Sequence, residues 1–536
     1  MTWRIDDPQG SEALKVRYAV VPYTRGAVLD MGCGPSKAFG HFIGVDSGKD
    51  TELFGIEMKP DVVCDVADPE AIERTFNAGS VDAIFSSHCL EHVEDYQAAL
   101  KAWWPLIKDG GHLCLYLPHA DLYPRIGQHG ANPDHKHDFL PEDIERAMLE
   151  IGEWDLVVNE TRAGGMEYSF LQVYRKGGEG HRRSYQNPRP PKKACVVRYG
   201  AIGDMIQAAA IFAGLKAEGF HVTAMVETKN ADLVRLDPNI DAFILQDKDQ
   251  VPNHCLHDYW NEHKRHYDRF VNLCESVEGT LLALPSRANH SWPWAMRHRH
   301  MNHNYIDFSA EIAGLEGAHL THRFYPSQEE IERAEAIVDG MGLTVNKGWR
   351  LGQRWKRPFV VMWCLSGSSV HKFYPHQDAI MARILLDIPE AVIITVGDEV
   401  SALLEAGWEE EPRVRRTAGE MAIRDTLALA QRCDLVIGPE TGVLNSVAFE
   451  GNGKVVLLSH SSHENLTKHW VNTIGLGANE TSCYPCHQLH FDHEHCPQHE
   501  QSGAALCQWQ LSPTRVWAAV ESIYERWAAV AKLVAA

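Results

Sequence analysis

Val28-Leu29-Asp30-Met31-Gly32-Cys33-Gly34-Pro35 decides how the front of this chain folds. An apolar run passes through an acid into two glycines separated by one residue. Glycine takes up the backbone conformations a tight turn needs and lets a ligand come close to the main chain. Downstream, Phe42-Ile43-Gly44-Val45 reads as a second strand ending in Asp46, where a carboxylate can accept hydrogen bonds from both hydroxyls of a ribose. Val62-Val63-Cys64 leads in the same way to a third acid, Asp65. Strand, turn, second strand and terminal acid together make a stronger signal than a Gly-rich turn alone. Working outward, the apolar runs 27–30, 42–46, 83–86 and 112–117 alternate with helical stretches such as 95–106, which predicts a parallel sheet with helices on its faces. The runs 154–160 and 169–175 follow each other directly and predict an antiparallel edge hairpin.

Two later segments extend the pattern: Val81-Asp82-Ala83-Ile84-Phe85-Ser86-Ser87-His88-Cys89-Leu90-Glu91-His92 and Leu106-Ile107-Lys108-Asp109-Gly110-Gly111. With the Gly-rich turn they resemble class I S-adenosylmethionine-dependent methyltransferases over about residues 20 to 178. The resemblance implies a Rossmann-like domain over 1–178 with Asp30, Gly32, Gly34, Asp46, Asp65 and Ser86 around the cofactor. One departure is a first crossover with little room for a full helix between Gly34 and Phe42. Methyl transfer is an in-line displacement at a sulfonium carbon, so the protein aligns the acceptor and, for a hydroxyl, removes a proton. Histidine suits that task near neutral pH. The candidates are His88 and His92 after the fourth strand, and His135 and His137 in the polar loop Asn132-Pro133-Asp134-His135-Lys136-His137-Asp138. The alternative for each is a ring that caps a turn and satisfies backbone groups.

Residues 177–193 read GGEGHRRSYQNPRPPKK, a composition that packs no core, and 179–193 is assigned as a linker. The α/β pattern then restarts twice: strand 195–199, helix 204–218 and strand 221–227, and later strand 359–365, a helix from about 376, and strands 391–396 and 435–437. Two halves are expected, 194–335 and 336–536, with the joint between 327 and 357. The first half opens with Val196-Val197-Arg198-Tyr199-Gly200-Ala201-Ile202-Gly203-Asp204. The second contains Ser366-Gly367-Ser368-Ser369-Val370-His371-Lys372-Phe373-Tyr374-Pro375, then Thr417-Ala418-Gly419, then Gly438-Pro439-Glu440-Thr441-Gly442. From the residues alone, Asp204 is a helix cap or part of an anion-friendly helix start in equal measure. Taken together, the segments resemble the heptosyltransferases of glycosyltransferase family nine over most of 194–480.

That resemblance implies a two-domain GT-B fold and inverting, metal-free transfer from an ADP-heptose-like nucleotide sugar to a glycan acceptor. It makes Asp204 the general base and places Lys372 on the departing diphosphate. Gly203, Ser366, Gly438, Glu440, Thr441, Gly442 and Asn445 are then the residues around the donor. Glu440 stands where the family has Asp, and Asn445 where a His commonly follows. The expectation for the whole chain is a bifunctional glycan-modifying enzyme. Its counterpart is a chain in which one half only binds a nucleotide or glycan in support of the other.

Bulk properties agree with an ordinary globular protein: 536 residues, 44% hydrophobic and 23% charged, too long for a single core. A formal charge of −21 gives no broad footprint for a nucleic-acid backbone. No apolar run approaches the ~18 residues that span a bilayer, and the start Met-Thr-Trp-Arg-Ile-Asp-Asp lacks the regions of a signal peptide, so a cytoplasmic location is expected. Most of the 13 cysteines sit singly in apolar segments, as reduced core cysteines do. Cys483, Cys486, Cys496 and Cys507 instead crowd around a histidine-rich run. A Cys-x-x-Cys pair suits tetrahedral zinc, so these four are candidate ligands of a structural zinc, against a metal-free loop as the alternative. The final segment, 513–536, has helical apolar spacing and is expected to close a core.

Overall fold

A computed structural model describes residues 12–48, 52–53, 56–57, 59–164, 166–178, 180–183, 192–247, 250–285, 287–348, 358–490 and 492–535. The chain divides into two units, Met1–Pro190 with Gln246–His266, and Pro191–Leu245 with Tyr267–Ala536. Among the described residues no helix is long and apolar enough to cross a membrane.

In the first unit, beside a short antiparallel pair Glu52–Leu53 and Ile56–Glu57, the strands of the main sheet are β1 (Val28–Met31), β2 (Ile43–Asp46), β3 (Val62–Val63), β4 (Val81–Ser87), β5 (Ile107–Pro118), β6 (Trp154–Gly164), β7 (Glu167–Lys176) and β8 (His181–Arg183). They form one eight-stranded sheet in the order β8-β6-β7-β5-β4-β1-β2-β3. The strands β1 to β5 run parallel, and β7 lies antiparallel between β5 and β6. All four residues of β1 are buried, as expected for a central parallel strand covered on both faces. Strand order reverses at β1, so the crevice at the carboxyl ends of β1 and β4 is where a ligand fits such a sheet. The chain between β1 and β2 makes turns and no helix, which accounts for the short crossover. Leu29, Ile84, Trp103, Leu115 and Phe170 lie in the core.

Two boundaries differ from the sequence reading. The sheet continues into the assigned linker, because β8 pairs in parallel with β6; residues 184–191 lie outside the described residues. Its His181, Arg182 and Arg183 are exposed, and such charge on an edge strand discourages further pairing. Residues 246–266, placed by sequence in the acceptor half, belong instead to the first unit. There the helix Leu256–Lys264 sets Tyr259 edge-on to Tyr18, and Glu262 accepts a 2.7 Å bond from buried Arg162.

The second unit has two parallel sheets. β9 (Lys193–Val197), β10 (His221–Val226), β11 (Ala242–Leu245) and β12 (Arg269–Asn272) form the order β11-β10-β9-β12. β13 (Phe359–Cys364), β14 (Ala391–Val396), β15 (Val414–Arg416), β16 (Leu435–Pro439), β17 (Gly453–Leu457) and β18 (Thr473–Leu476) form β15-β14-β13-β16-β17-β18. The helix Gln328–Gly348 crosses the 335/336 division, and one apolar cluster holds Phe212, Met362 and Leu444, from both halves. The closing helix Pro513–Ala535 buries Val516, Trp517, Val520 and Ile523 against the second sheet.

Candidate active sites

At the end of β1 the two glycines take φ of 70° (Gly32) and 54° (Gly34). A Cβ on Gly32 would lie 2.3 Å from Cys89 Sγ, so the turn is pressed directly against the segment after β4. Asp46 ends β2 half-buried, with Oδ2 accepting from Gly34 N at 3.1 Å and Oδ1 from Ser47 N at 2.7 Å. An ionised carboxylate has about four acceptor sites, so both oxygens keep capacity for a diol. Asp65 lies beyond β3, where its Oδ1 accepts from Ala67 N at 3.1 Å.

Asp30 and Ser86 hold the turn from inside. Asp30 is 1% exposed, and its Oδ2 accepts from Ala38 N at 2.9 Å. Burial pushes its carboxyl up to about 7, against the opposing pull of the Ala38 bond and Lys37. Ser86 is fully buried and donates to Met31 O at 3.0 Å. Its hydroxyl is therefore spent on the β1–β4 seam, not on the space a ligand would fill.

The four histidines part company. His88 adopts φ 47°, and its Nε2 is 2.8 Å from Ser169 Oγ. Burial first, then the charge of Lys15, holds its pKa well below the usual imidazole range. His137 Nε2 donates to Val93 O at 3.0 Å and Glu94 O at 3.1 Å, while its ring stacks on Phe139. Both rings are thus held by neighbouring groups, His88 by a serine hydroxyl and His137 by two carbonyls. His92 and His135 face each other edge-on at 4.8 Å. Between them and His88 lies Glu91, which the sequence reading quoted without singling it out. It is fully buried, and among the described residues no neighbour hydrogen-bonds either of its carboxylate oxygens. Burial pushes its carboxyl up to about 8. The only signal in the sequence was a glutamate inside a His-rich turn directly after a strand.

In the second unit β9 runs through a turn into the helix Ile202–Ala217, with Asp204 in its first turn. No side chain caps this helix; instead Asp204 Oδ1 lies 3.3 Å from Arg198 Nη2. Arg198 is buried and anchored by a 2.8 Å bond to Leu273 O. Asp204, Arg198, Gln207, Tyr305 and Ser309 line a cavity of about 10 Å³. Sequence alone named only the aspartate, because the others come from β9, from later in the same helix and from the helix Tyr305–Ala313, about 100 residues on.

The donor-half turn meets this helix. A Cβ on Gly442 would lie 2.7 Å from Ile202 Cγ2 and 3.2 Å from Gly203 N. Thr441 caps the short helix Gly442–Ser446, accepting from Leu444 N at 3.4 Å. Gly438 approaches the next strand so closely that a Cβ would sit 2.5 Å from Cys364 O. The two departures from the family pattern have structural tasks. Glu440 is 4% exposed, and its carboxylate takes bonds from Ser459 N (2.8 Å), Ser461 N (3.0 Å) and Ser459 Oγ. Burial opposes its ionisation, but His460, Lys372 and Ser459 hold it well below the carboxylate range. Asn445 accepts from Gln207 Nε2 at 3.1 Å, donates to Thr441 O at 3.1 Å, and is 5% exposed. Both side chains brace the turn from behind and are consumed there.

Lys372 and Ser366 lie on a hairpin closed by the bridge Ser366–Phe373, with Ser366 Oγ 2.7 Å from Ser401 Oγ. The lysine stem covers Gly367, where a Cβ would meet Lys372 Cδ at 2.7 Å.

Cys483, Cys486, Cys496 and Cys507 line one cavity of about 30 Å³ with His371 and His490. All four are free thiols, and burial pushes Cys486 up to about 12 and Cys496 up to about 11. The segment is held by the helix Trp294–Met301, where buried Arg297 donates to Cys486 O at 3.0 Å and His298 meets His487 at 3.1 Å.

Residues 13–156 match the family described as a methyltransferase domain. No curated protein matches the chain. The crystal structure of the glycosyl transferase family 9 from Veillonella parvula DSM 2008 is similar at 15% identity, covering 62% of this chain and 98% of that one, with a TM-score of 0.45. E. coli ADP-heptose lps heptosyltransferase II is similar at 15% identity over 62% of this chain and 99% of that one, TM-score 0.40. A SAM dependent methyltransferase from Archaeoglobus fulgidus is similar at 18% identity over 31% of this chain and 96% of that one, TM-score 0.24. The methyltransferase-domain match thus falls in the first unit, and the second unit is a pair of parallel α/β sheets.

Proposed function

We propose that the chain carries two transferase sites serving one glycan product: a methyl transfer in the first unit and an inverting glycosyl transfer in the second. The observation that carries the glycosyl reading is the contact of Gly203 with Gly442, which sets the Asp204 turn of one sheet against the Thr441 turn of the other. An acceptor hydroxyl in the Asp204 cavity gives its proton to the carboxylate as its oxygen bonds to the anomeric carbon. The bond to the nucleoside diphosphate breaks, and Lys372 with the Thr441–Gly442 backbone stabilises the leaving charge. Arg198, 3.3 Å away, aims the Asp204 carboxylate. An ADP-heptose-like sugar is the proposed donor.

In the first unit Gly32, Gly34, Asp46 and Asp65 would hold S-adenosylmethionine, which supplies the methyl group. The spare acceptor capacity of Asp46 fits the two ribose hydroxyls. The Glu91, His92 and His135 group is the proposed recipient of the acceptor proton, with a sugar hydroxyl as methyl acceptor. The four cysteines are proposed to hold a structural metal; an all-sulfur set suits zinc, and also iron. A cytoplasmic location fits reduced thiols.

Titration of the full chain with S-adenosylhomocysteine and with ADP tests the pairing. Two independent one-to-one isotherms are expected, the first removed by Asp46→Ala and the second untouched by it. Failure of ADP and of every other nucleoside diphosphate to bind would end the glycosyl-transfer reading.

A further inference from the structure

We infer that Glu91, His92 and His135 form a binding site for a divalent first-row cation beside the cofactor turn. The three residues offer one carboxylate oxygen and two imidazole nitrogens, and these ligand atoms all lie within 4.8 Å of one another. Glu91 Oε1 is 3.9 Å from His92 Nε2 and 4.0 Å from His135 Nε2. Those separations are too long for hydrogen bonds. They are close to what one ion imposes, since two ligands each about 2.1 Å from a metal stand about 3 to 4 Å apart.

Glu91 supplies the second observation. A fully buried carboxylate with no hydrogen bond from any neighbouring residue is costly unless something positive or protic reaches it. Among the described residues no lysine or arginine pairs with it; imidazoles surround it, including His88, whose Nδ1 is 3.6 Å away, and Glu12 adds a second negative charge nearby. Nitrogen lone pairs facing a carboxylate gain little from one another, whereas a shared cation satisfies all of them. The scaffold is fixed in advance. Lys136 N donates to Glu91 O at 2.6 Å, and His137 ties the same loop to Val93 and Glu94, so His135 is held opposite Glu91 by its own neighbours.

Two imidazoles and one carboxylate suit zinc, cobalt, manganese or ferrous iron, and three protein ligands leave positions open for oxygen. His92 is the partly exposed member, with 37% of its side chain accessible, so the site has an entrance. If the methyl-transfer reading above holds, the open positions of the loaded site take the acceptor hydroxyl and lower its pKa, next to the turn that Cys89 presses against Gly32, and the proton then leaves to water through the His92 entrance instead of passing to the three ligands.

Cobalt(II) added to the metal-free full chain is the test, because its visible spectrum separates donor types: thiolates give strong charge-transfer bands, imidazole and carboxylate only weak d–d bands. A d–d signal saturating at one equivalent is expected, separate from any thiolate band of the Cys483 segment. Glu91→Gln and the more exposed His92→Asn should each weaken it at least about tenfold with circular dichroism unchanged. A spectrum made only of thiolate bands, or a d–d signal indifferent to both substitutions, overturns the site. S-adenosylhomocysteine titrated into the same samples reads the methyl-transfer assignment separately: its failure to bind removes the task given to the cation, not the cation site.

Discussion

At the scale of single residues, each site turns on one carboxylate whose surroundings decide what it can do. Asp204 sits beside a buried guanidinium and lines a cavity, an arrangement for accepting a proton from a hydroxyl. Asp204→Asn should lower glycosyl transfer by about 10²-fold or more, the usual contribution of a general base, while ADP affinity stays within about twofold. Steady-state rates alongside calorimetry separate the two, and unchanged turnover would remove the assignment. Asp30 works differently. Its folded pKa of about 7 lies above the ordinary 3.8, so between those values the folded chain keeps a proton that the unfolded chain has released. Stability of the first unit therefore falls as pH rises from about 4 to about 7. Asp30→Asn retains an oxygen for Ala38 N and should flatten that slope, which thermal melts across the range will read as a difference between variant and parent.

At the scale of elements, the glycines at the helix starts matter more than their neighbours. A methyl group on Gly442 would collide with Ile202 and the Gly203 backbone, so Gly442→Ala must spread the two helices apart. A cost of about 1–3 kcal/mol is expected from such overpacking, with a larger relative loss of transfer than of stability. Gly451→Ala, where a Cβ meets nothing within 4 Å, is the control. The 483–507 segment gives a second prediction: if its thiolates hold a metal, a chelator should lower the melting temperature of the second unit, and Cys486→Ser should do so without chelator. Metal analysis of the purified chain identifies the ion. The strands were legible because fully buried parallel strands read as unbroken apolar runs, as in Phe359–Cys364, and the Gly-rich turns because their φ values require glycine. The roles of Glu440, Asn445 and Ser86 were not legible. Each faces inward through a hydrogen bond to a residue 19 to 238 positions away, and a motif cannot show which way a side chain points.

At the scale of the whole molecule, long-range ion pairs set boundaries that composition could not. Residues 246–266 joined the first unit through contacts such as Arg162 with Glu262, 100 positions apart, and nothing in their local pattern marks them as leaving the sheet they interrupt. A comparable pair organises the second unit. Arg424, on the helix Ile423–Ala430, forms a two-pronged bond with Glu330, at 2.7 Å from Nε and 2.9 Å from Nη2, and also donates to Leu233 O at 2.6 Å. It thereby joins elements of both halves, with both side chains almost fully buried. Burial opposes ionisation of Glu330, yet Arg424 and the Ser327 amide outweigh it and hold the carboxyl down to about 2. The folded value lies below the ordinary 4.5, so the stabilisation is complete above about 4.5 and is lost as pH falls towards about 2. Arg424→Met removes the two-pronged partner of a buried carboxylate, leaving it the Ser327 amide and Arg235, and should cost about 3–5 kcal/mol at neutral pH. Adding Glu330→Met should recover much of that loss, because the penalty comes from the unpaired charge. Urea unfolding of the three chains at pH 7 and pH 3 reads both effects. The single variant should also lose part of its acid sensitivity, and equal costs for the single and double variants would mean that Arg424 acts through its bonds to the carbonyls of Asp232, Leu233 and Tyr325.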